Sequence, residues 1–139
     1  ILLLPLVPRE KLPEMLSASD LGLVIQKKTV TAFNLPSKIP VILASGRPII
    51  ASVPNTGTAM RVVKESGAGI VVTPEDFQAL AQAILELYKN PEKLEQLGRQ
   101  GRKYAEENFG LKTVLNSYEA LFAEILSHQE RGEKKKGKG

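Results

Sequence analysis

Short apolar runs alternate with longer segments of helical periodicity along the first half of the chain. Four runs, each too short for a helix, occupy residues 1–4, 21–25, 48–52 and 69–72. Three predicted helices lie between them, at about 10–19, 37–45 and 58–66. This alternation is typical of βαβ units. The sequence therefore predicts an α/β fold with a parallel sheet of four strands.

The second half is predicted to be helical. A helix-capping residue followed by proline occurs twice, at Thr73–Pro74 and at Asn90–Pro91, and each pair marks the start of an amphipathic helix. The second of these helices is expected to end near residue 108, with glycines interrupting it. A third apolar stripe predicts a helix from Leu111 to about His128.

Charge and composition separate a domain from a tail. The net charge is +4, but five basic and two acidic residues place +3 of it in residues 129–139, which contain no apolar residue. We expect a domain over 1–128 and a basic disordered tail over 129–139. A solvated tail is the simpler interpretation, and contact with anionic lipid or nucleic acid is the alternative.

The absence of some features limits the protein class. There is no cysteine, and no apolar run approaches the roughly 20 residues that cross a bilayer, so we expect a soluble intracellular protein. The chain does not begin with methionine, and its first residues resemble a buried strand. We therefore expect one domain or part of a larger one.

The loops that follow the strands are the candidate binding sites, because open parallel sheets bind ligands at the carboxyl ends of their strands. The longest, 26–36, leads into a helix that starts with Ser37 and Lys38, before Gly-Arg-Pro at 46–48. Pro40 is compatible with the first turn of a helix that begins near Ser37. The amides of Lys38 and Ile39, in the same turn, would then have no partner within the helix. Thr56 and Thr58 stand at a second helix start. Either the two helix starts hold a diphosphate, or their hydroxyls are ordinary N-caps.

Other chemistry finds little support. His128 is the only histidine, so no catalytic triad can be built, and no catalytic residue or metal ligand is predicted. Asp20 is expected to have a structural role. No G-x-G-x-x-G follows a strand and there is no P-loop, which argues against dinucleotide and nucleoside-triphosphatase sites.

Five sequence elements occur in the order and spacing of a known family. They are Asp20 with its buried strand, Leu-Pro-Ser-Lys at 35–38, Gly-Arg-Pro-Ile-Ile-Ala at 46–51, the turn and strand at 65–72, and Thr-Pro-Glu-Asp at 73–76. Over residues 6–126 they resemble the C-terminal domain of glycosyltransferase family 4, whose members are retaining enzymes of the GT-B type. The Pro-Ser-Lys form is similar to the branch that includes bacterial fucosamine transferases of surface-polysaccharide synthesis.

The resemblance implies a partial GT-B C-terminal domain with Rossmann-like topology, followed by three C-terminal helices. In the family this domain holds a nucleotide-diphosphate sugar, with UDP-sugar favoured over GDP-sugar and no cofactor. A separate N-terminal domain, missing from this chain, would bind a sugar or lipid-linked acceptor. The resemblance implies a cytoplasmic hexosyltransferase with possible peripheral contact at the inner face of the membrane and no nucleic-acid partner. The chain alone is expected to be inactive.

The resemblance also implies which residues bind the donor. The backbone of 31–35 would face the sugar and phosphate, with Ser37 and Lys38 behind it and Val7 near the base. Together with the second helix start, the predicted donor-binding residues are Val7, Thr31, Ala32, Phe33, Asn34, Leu35, Ser37, Lys38, Thr56 and Thr58.

Two positions depart from the family pattern. Thr31 and Val41 stand where many members carry a pair of glutamates that hold the donor sugar and the ribose. A valine cannot accept a hydrogen bond from a ribose hydroxyl. This departure motivates an alternative, a non-catalytic α/β interaction domain that has lost the sugar-nucleotide site. A phosphoacceptor receiver domain is disfavoured, because the strand ends carry no cluster of aspartates.

Overall fold

Three short parallel strands form a sheet at the positions of three of the predicted apolar runs. The computed structural model describes residues 5–30 and 33–136, with side chains as far as Ser127. The strands are β1 (Gly22–Ile25), β2 (Ile49–Ser52) and β3 (Gly69–Val72), in the order β1-β2-β3. The α/β class is therefore confirmed, while the strand predicted at 1–4 lies outside the described residues.

Helices cover the central strand. The chain divides into two compact units, Ile1–Glu106 and Glu107–Gly139, and the first contains the sheet. After a 3₁₀ turn (Arg9–Lys11), its helices are α1 (Leu12–Ser17), α2 (Lys38–Ala44), α3 (Thr58–Glu65), α4 (Phe77–Tyr88) and most of α5 (Pro91–Phe109). Every residue of β2 is buried, and α2, α3 and α4 all contact this strand. This burial explains its continuous apolar character, which is typical of covered parallel strands.

Helix α2 ends in a Schellman motif at Gly46. The Arg47 amide donates to the Ile42 carbonyl oxygen at 3.3 Å, the Gly46 amide donates to that of Leu43 at 3.0 Å, and Gly46 has a φ of 70°. The predicted glycine stop is confirmed.

Arg47 lies at this end of α2, before β2, where its side chain donates to the carbonyl oxygens of Leu16 and Ser17. Arg47 therefore has a structural role, and it also borders one groove together with Ser37 and Lys38.

The prediction that Thr73 caps the fourth helix is wrong. Helix α4 begins at Phe77, and the Asp76 carboxylate accepts a hydrogen bond of 2.8 Å from the Ala79 amide. Glu75 has a φ of 67°, which no α-helix accommodates. The segment from Thr73 to Asp76 instead closes a turn, and the stronger capping residue starts the helix after it.

Helix α5 begins where the sequence predicts. The Asn90 side chain accepts a hydrogen bond of 3.0 Å from the Lys93 amide, so Asn90 is the N-cap. The expected interruption by glycines is wrong, because α5 is continuous over Pro91–Phe109. Gly98 instead permits close packing: a Cβ atom there would lie 2.2 Å from the Gly46 carbonyl oxygen.

Helix α6 (Leu111–Lys136) makes up most of the second unit. It continues beyond the predicted end near His128, so it includes most of the residues that the sequence assigns to a disordered tail. Glu, Lys, Arg and Gln all favour helix, which allows a charged segment without apolar residues to extend one. Within the described residues, no helix combines the length and the apolar character needed to cross a membrane.

Candidate functional site

A cleft of about 450 Å³ opens at the carboxyl end of β1. Its walls are the last residues of the strand, the end of the loop that follows, and the first residue of α2. The lining residues are Val24, Ile25, Gln26, Asn34, Leu35, Pro36, Ser37 and Lys38. This is the position at which an open parallel sheet binds its ligand. The predicted site loop therefore does border a cavity.

The segment that surrounds the cleft is positively charged. Residues 26–38 contain three lysines and neither aspartate nor glutamate. Lys27, Lys28 and Lys38 are all exposed, so their ammonium groups can meet a ligand from solvent. The Gln26 amide donates to the Ser52 carbonyl oxygen at 2.8 Å and holds the start of this segment against β2. The charge favours an anionic ligand.

Ser37 stands at the N-cap position of α2 without capping the helix. Its backbone is helical, with φ −57° and ψ −21°, and its side chain makes no capping hydrogen bond. The two amides that an N-cap oxygen can reach are those of the second and third helical residues. The Ile39 amide already donates to the Pro36 carbonyl oxygen at 3.0 Å, and Pro40 has no amide hydrogen.

This arrangement decides between two earlier interpretations of Ser37. An ordinary capping role is wrong, because Pro40 removes the donor that the Ser37 hydroxyl would otherwise bond. The expected free amide at Ile39 is also wrong, since that donor is used by Pro36. Within the described part of the chain, the Ser37 hydroxyl and the Lys38 amide have no hydrogen-bond partner, and both residues line the cleft.

The structure brings only part of the predicted set together. Asn34, Leu35, Ser37 and Lys38 line the cleft, whereas Thr31 and Ala32 lie outside the described residues. The remaining members do not line it: Phe33, which is 93% exposed, Val7, Thr56 and Thr58. The predicted donor contacts of these residues stay predictions.

The second helix start also differs from the expected one. Gly57 is the N-cap of α3, with φ 107°, and no side chain caps the helix. An N-cap role for Thr56 or Thr58 is therefore wrong, because the chain enters the helix through a backbone conformation that favours glycine. No residue of the loop 53–58 is among those that line the cleft.

Four lining residues are absent from the predicted set, namely Val24, Ile25, Gln26 and Pro36. Gln26 follows β1 directly, is half-buried, and presents a polar side chain to the cleft. Its position at the carboxyl end of a strand is the signal that could have identified it. Pro36 was treated only as part of a motif, but it lines the cleft and its carbonyl oxygen fixes the Ile39 amide.

Val41 lines a second cavity, which shares Ser37 and Lys38 with the cleft. It is 39% exposed and borders an apolar groove of about 420 Å³, together with Met15, Leu16 and Leu23. It does not line the polar cleft at the end of β1. Within the described residues, no group of three or more His, Cys, Asp or Glu side chains could hold a metal ion.

Comparison with known proteins identifies similar sequences. A family model described as glycosyl transferases group 1 matches residues 1–104. The O-antigen chain mannosyltransferase C of Escherichia coli is 32% identical over 80 residues, which cover 58% of this chain and 21% of that protein. The probable glycosyltransferase WbjE of Pseudomonas aeruginosa is 28% identical over 115 residues, covering 83% of this chain and 28% of that protein. The matched region spans less than a third of the length of each of these relatives.

Solved structures share the fold. Sucrose-phosphate synthase from Thermosynechococcus elongatus superimposes with a TM-score of 0.70 at 24% identity, over 88% of this chain and 29% of that one. Anabaena Alr3699/HepE in complex with UDP gives a TM-score of 0.67 at 25% identity, over 86% of this chain and 30% of that one. The same protein in complex with UDP-glucose gives 0.65 at 26% identity, with the same shares of the two chains covered.

Proposed function

The chain belongs to the glycosyl transferases group 1 family, and we propose that the cleft at the end of β1 binds the diphosphate of a nucleotide-diphosphate sugar. One observation carries this proposal. Ser37 and Lys38 line a cleft beside a lysine-rich segment, and neither the Ser37 hydroxyl nor the Lys38 amide has a hydrogen-bond partner in the described part of the chain. Hydroxyls, amides and ammonium groups are the donors that recognise phosphate oxygens.

The described residues have distinct parts in the proposed binding. The Lys38 ammonium would pair with a phosphate oxygen, while the Ser37 hydroxyl and the Lys38 amide would donate hydrogen bonds to the same group. Asn34 and Gln26 offer amide groups suited to sugar or ribose hydroxyls. Each contact holds the donor in one orientation relative to the sheet, which transfer to an acceptor requires.

The identity of the donor and the reaction are finer parts of the proposal. We propose a UDP-sugar as donor, and a retaining, metal-independent hexosyl transfer of the family 4 type, within the Pro-Ser-Lys branch similar to fucosamine transferases. The UDP and UDP-glucose complexes of the structurally similar Anabaena protein support the choice of nucleotide. The O-antigen relative supports a place in surface-polysaccharide synthesis.

The acceptor side of the reaction requires other parts of an enzyme of this kind. We propose that a separate domain binds a sugar or lipid-linked acceptor at the cytoplasmic face of the membrane, and that this chain alone binds donor without transferring it. The relatives, each more than three times the length of the matched region, support such a division of roles. Closure between two domains would exclude water from the reacting groups.

Titration with nucleotide, followed by amide NMR of the full chain, tests the proposal. UDP should shift the amides of Asn34, Leu35, Ser37 and Lys38 first and at the lowest concentration, and the same shifts should appear with UDP-glucose. GDP and inorganic phosphate serve as controls for base and diphosphate selectivity. Shifts confined to the basic residues 129–139 would instead indicate non-specific attraction of an anion and would overturn the proposal.

A non-catalytic interaction domain is the second candidate. Val41 favours it, because an apolar residue stands where the family resemblance places a ribose-binding glutamate, and Val41 lines the adjoining apolar groove instead of the cleft. This candidate predicts that no UDP-dependent shift occurs at 34–38 under any condition. The same titration therefore separates the two functions.

A further inference from the structure

Glu75 has a backbone conformation that its residue type disfavours. Its φ is 67°, and among the residues that the structure describes it is the only non-glycine with a positive φ. The Asp76 amide donates to the Thr73 carbonyl oxygen at 3.3 Å, and Pro74 precedes Glu75. These are features of a type II turn, whose third position favours glycine or asparagine. The turn alone therefore does not explain a glutamate.

The Glu75 side chain makes a contact that a glycine could not make. Its Oε1 atom accepts a hydrogen bond from the Lys28 amide at 3.4 Å, between residues 47 positions apart. Lys28 lies in the loop that follows β1, and Glu75 lies in the loop that follows β3. Because β2 separates these strands, the contact bridges the carboxyl edge of the whole sheet.

A second contact fixes the turn that carries Glu75. The Ser52 hydroxyl, at the end of β2, donates to the Thr73 carbonyl oxygen at 3.5 Å, and Ser52 is buried. The turn is thus bonded to the central strand on one side and to Lys28 on the other. A turn held in this way can restrain the Lys28 amide, which lies in the exposed start of the loop after β1.

We infer that Glu75 is a positioning residue that holds the start of the loop after β1, residues 26–28, and with it the Gln26 wall of the donor cleft. This inference rests on the proposed function of that cleft. Glu75 acts through the Lys28 amide and makes no contact with the ligand. Its negative charge would by itself weaken the binding of an anion, so a field effect and a positioning effect predict opposite results when the carboxylate is removed.

Two substitutions of Glu75 in the full chain separate these effects. Glu75→Gly removes the acceptor and suits the positive φ, so the melting temperature should stay equal or rise. The Lys28 amide should nevertheless exchange faster, and the UDP dissociation constant should increase about 3- to 10-fold, the size of one ordinary hydrogen bond. Glu75→Gln keeps an acceptor oxygen without the charge and should restore both values to near those of the wild type.

Each outcome decides the inference. Unchanged Lys28 exchange in Glu75→Gly, or UDP binding that is equal or tighter than in the wild type, would overturn the inference while leaving the proposed function intact. A wild-type chain that shows no UDP-dependent shift at 34–38 would overturn the proposed function, and the inference with it. Faster exchange combined with weaker binding, both reversed by glutamine, would establish the positioning role.

Discussion

Arg47 and Leu16 are joined by a hydrogen bond of 3.1 Å, from the guanidinium Nε to the backbone carbonyl oxygen in the last turn of α1. A second guanidinium nitrogen donates to the Ser17 carbonyl oxygen at 2.5 Å. A cation at a helix C-terminus is favourable, because the carbonyl groups there lack helical partners. The side chain therefore fixes α1 to the segment that precedes β2.

Arg47→Ala should lower the free energy of unfolding by about 1–3 kcal/mol, since two charge-assisted hydrogen bonds to backbone oxygens are lost. Urea unfolding of the full chain measures this difference. Arg61→Ala is the matched control, because the Arg61 side chain is exposed and forms a 4.0 Å pair with Glu65, so its loss should change stability by less than about 1 kcal/mol. Equal losses in the two variants would show that the contacts to α1 contribute nothing specific.

Gly46→Val should destabilise the protein through backbone conformation. The φ of 70° at Gly46 is disfavoured for a β-branched residue, which corresponds to about 1–2 kcal/mol. A Cβ atom at this position would meet nothing closer than 3.8 Å, so the Cβ atom itself adds no clash. Gly46→Asn, which tolerates a left-handed conformation better, should lose less. A valine variant with the same melting temperature as the asparagine variant would contradict this explanation.

Gly98→Ala tests the close approach of α5 to the end of α2. Alanine favours helix by about 1 kcal/mol over glycine, yet its Cβ atom would lie 2.2 Å from the Gly46 carbonyl oxygen. The clash should dominate, and the free energy of unfolding should fall by about 1–3 kcal/mol in a denaturant titration. Gln96→Ala, an exposed change in the same helix, serves as the control. A stabilised Gly98→Ala variant would mean that α5 can shift away without loss.

Lys38→Ala should weaken UDP binding by about 1–3 kcal/mol, because the proposed charge-assisted bond to phosphate is lost. Isothermal titration or the NMR titration gives the change in affinity. Lys64→Ala removes an exposed lysine that does not line the cleft and should leave the affinity unchanged. If the two variants bind UDP equally well, Lys38 is only a surface residue.

The raised pKa of Tyr104 predicts that the free energy of unfolding decreases at alkaline pH. Burial raises the pKa of the Tyr104 hydroxyl above 10.0, and the Glu65 carboxylate, 3.3 Å from it, raises it further. The folded state therefore holds this proton more tightly than the unfolded state. The resulting stability is complete below the ordinary pKa and is lost as the pH rises through the folded value. Tyr104→Phe should flatten this part of the stability curve, and an unchanged slope would contradict the assignment.

Local patterns were sufficient for most secondary structure. Continuous apolar runs identified all three observed strands. Burial explains this for β2, which is covered throughout, whereas Leu23 and Ile25 of β1 are apolar although they are 41% and 64% exposed. Asn90 was identified as an N-cap because its type and the following proline both act on the adjacent turn. Thr73 was assigned wrongly since Asp76, three positions later, is the stronger cap, and the positive φ of Glu75 separates the two.

Only residues of the candidate site that end the loop after β1 or start the next helix were predicted from the sequence. Asn34, Leu35, Ser37 and Lys38 follow from the rule that ligands bind after strands of a parallel sheet. The unused hydroxyl of Ser37 depends on the combined effect of Pro36 and Pro40, which a residue-type preference for capping does not capture. The Lys28–Glu75 contact joins residues 47 positions apart, and the hydrophobic periodicity of the sequence does not indicate it.

Helix α2 packs into the core, whereas the segment that leads into it is accessible to solvent. Ile39, Ile42 and Leu43 are buried and the Gly46 turn closes the helix, while 33–38 are exposed or half-buried. Exchanging residues along that entrance would thus alter chemical preference without disturbing the core. A scaffold divided in this way lets descendant proteins diversify the molecules they accept while inheriting the same folding determinants.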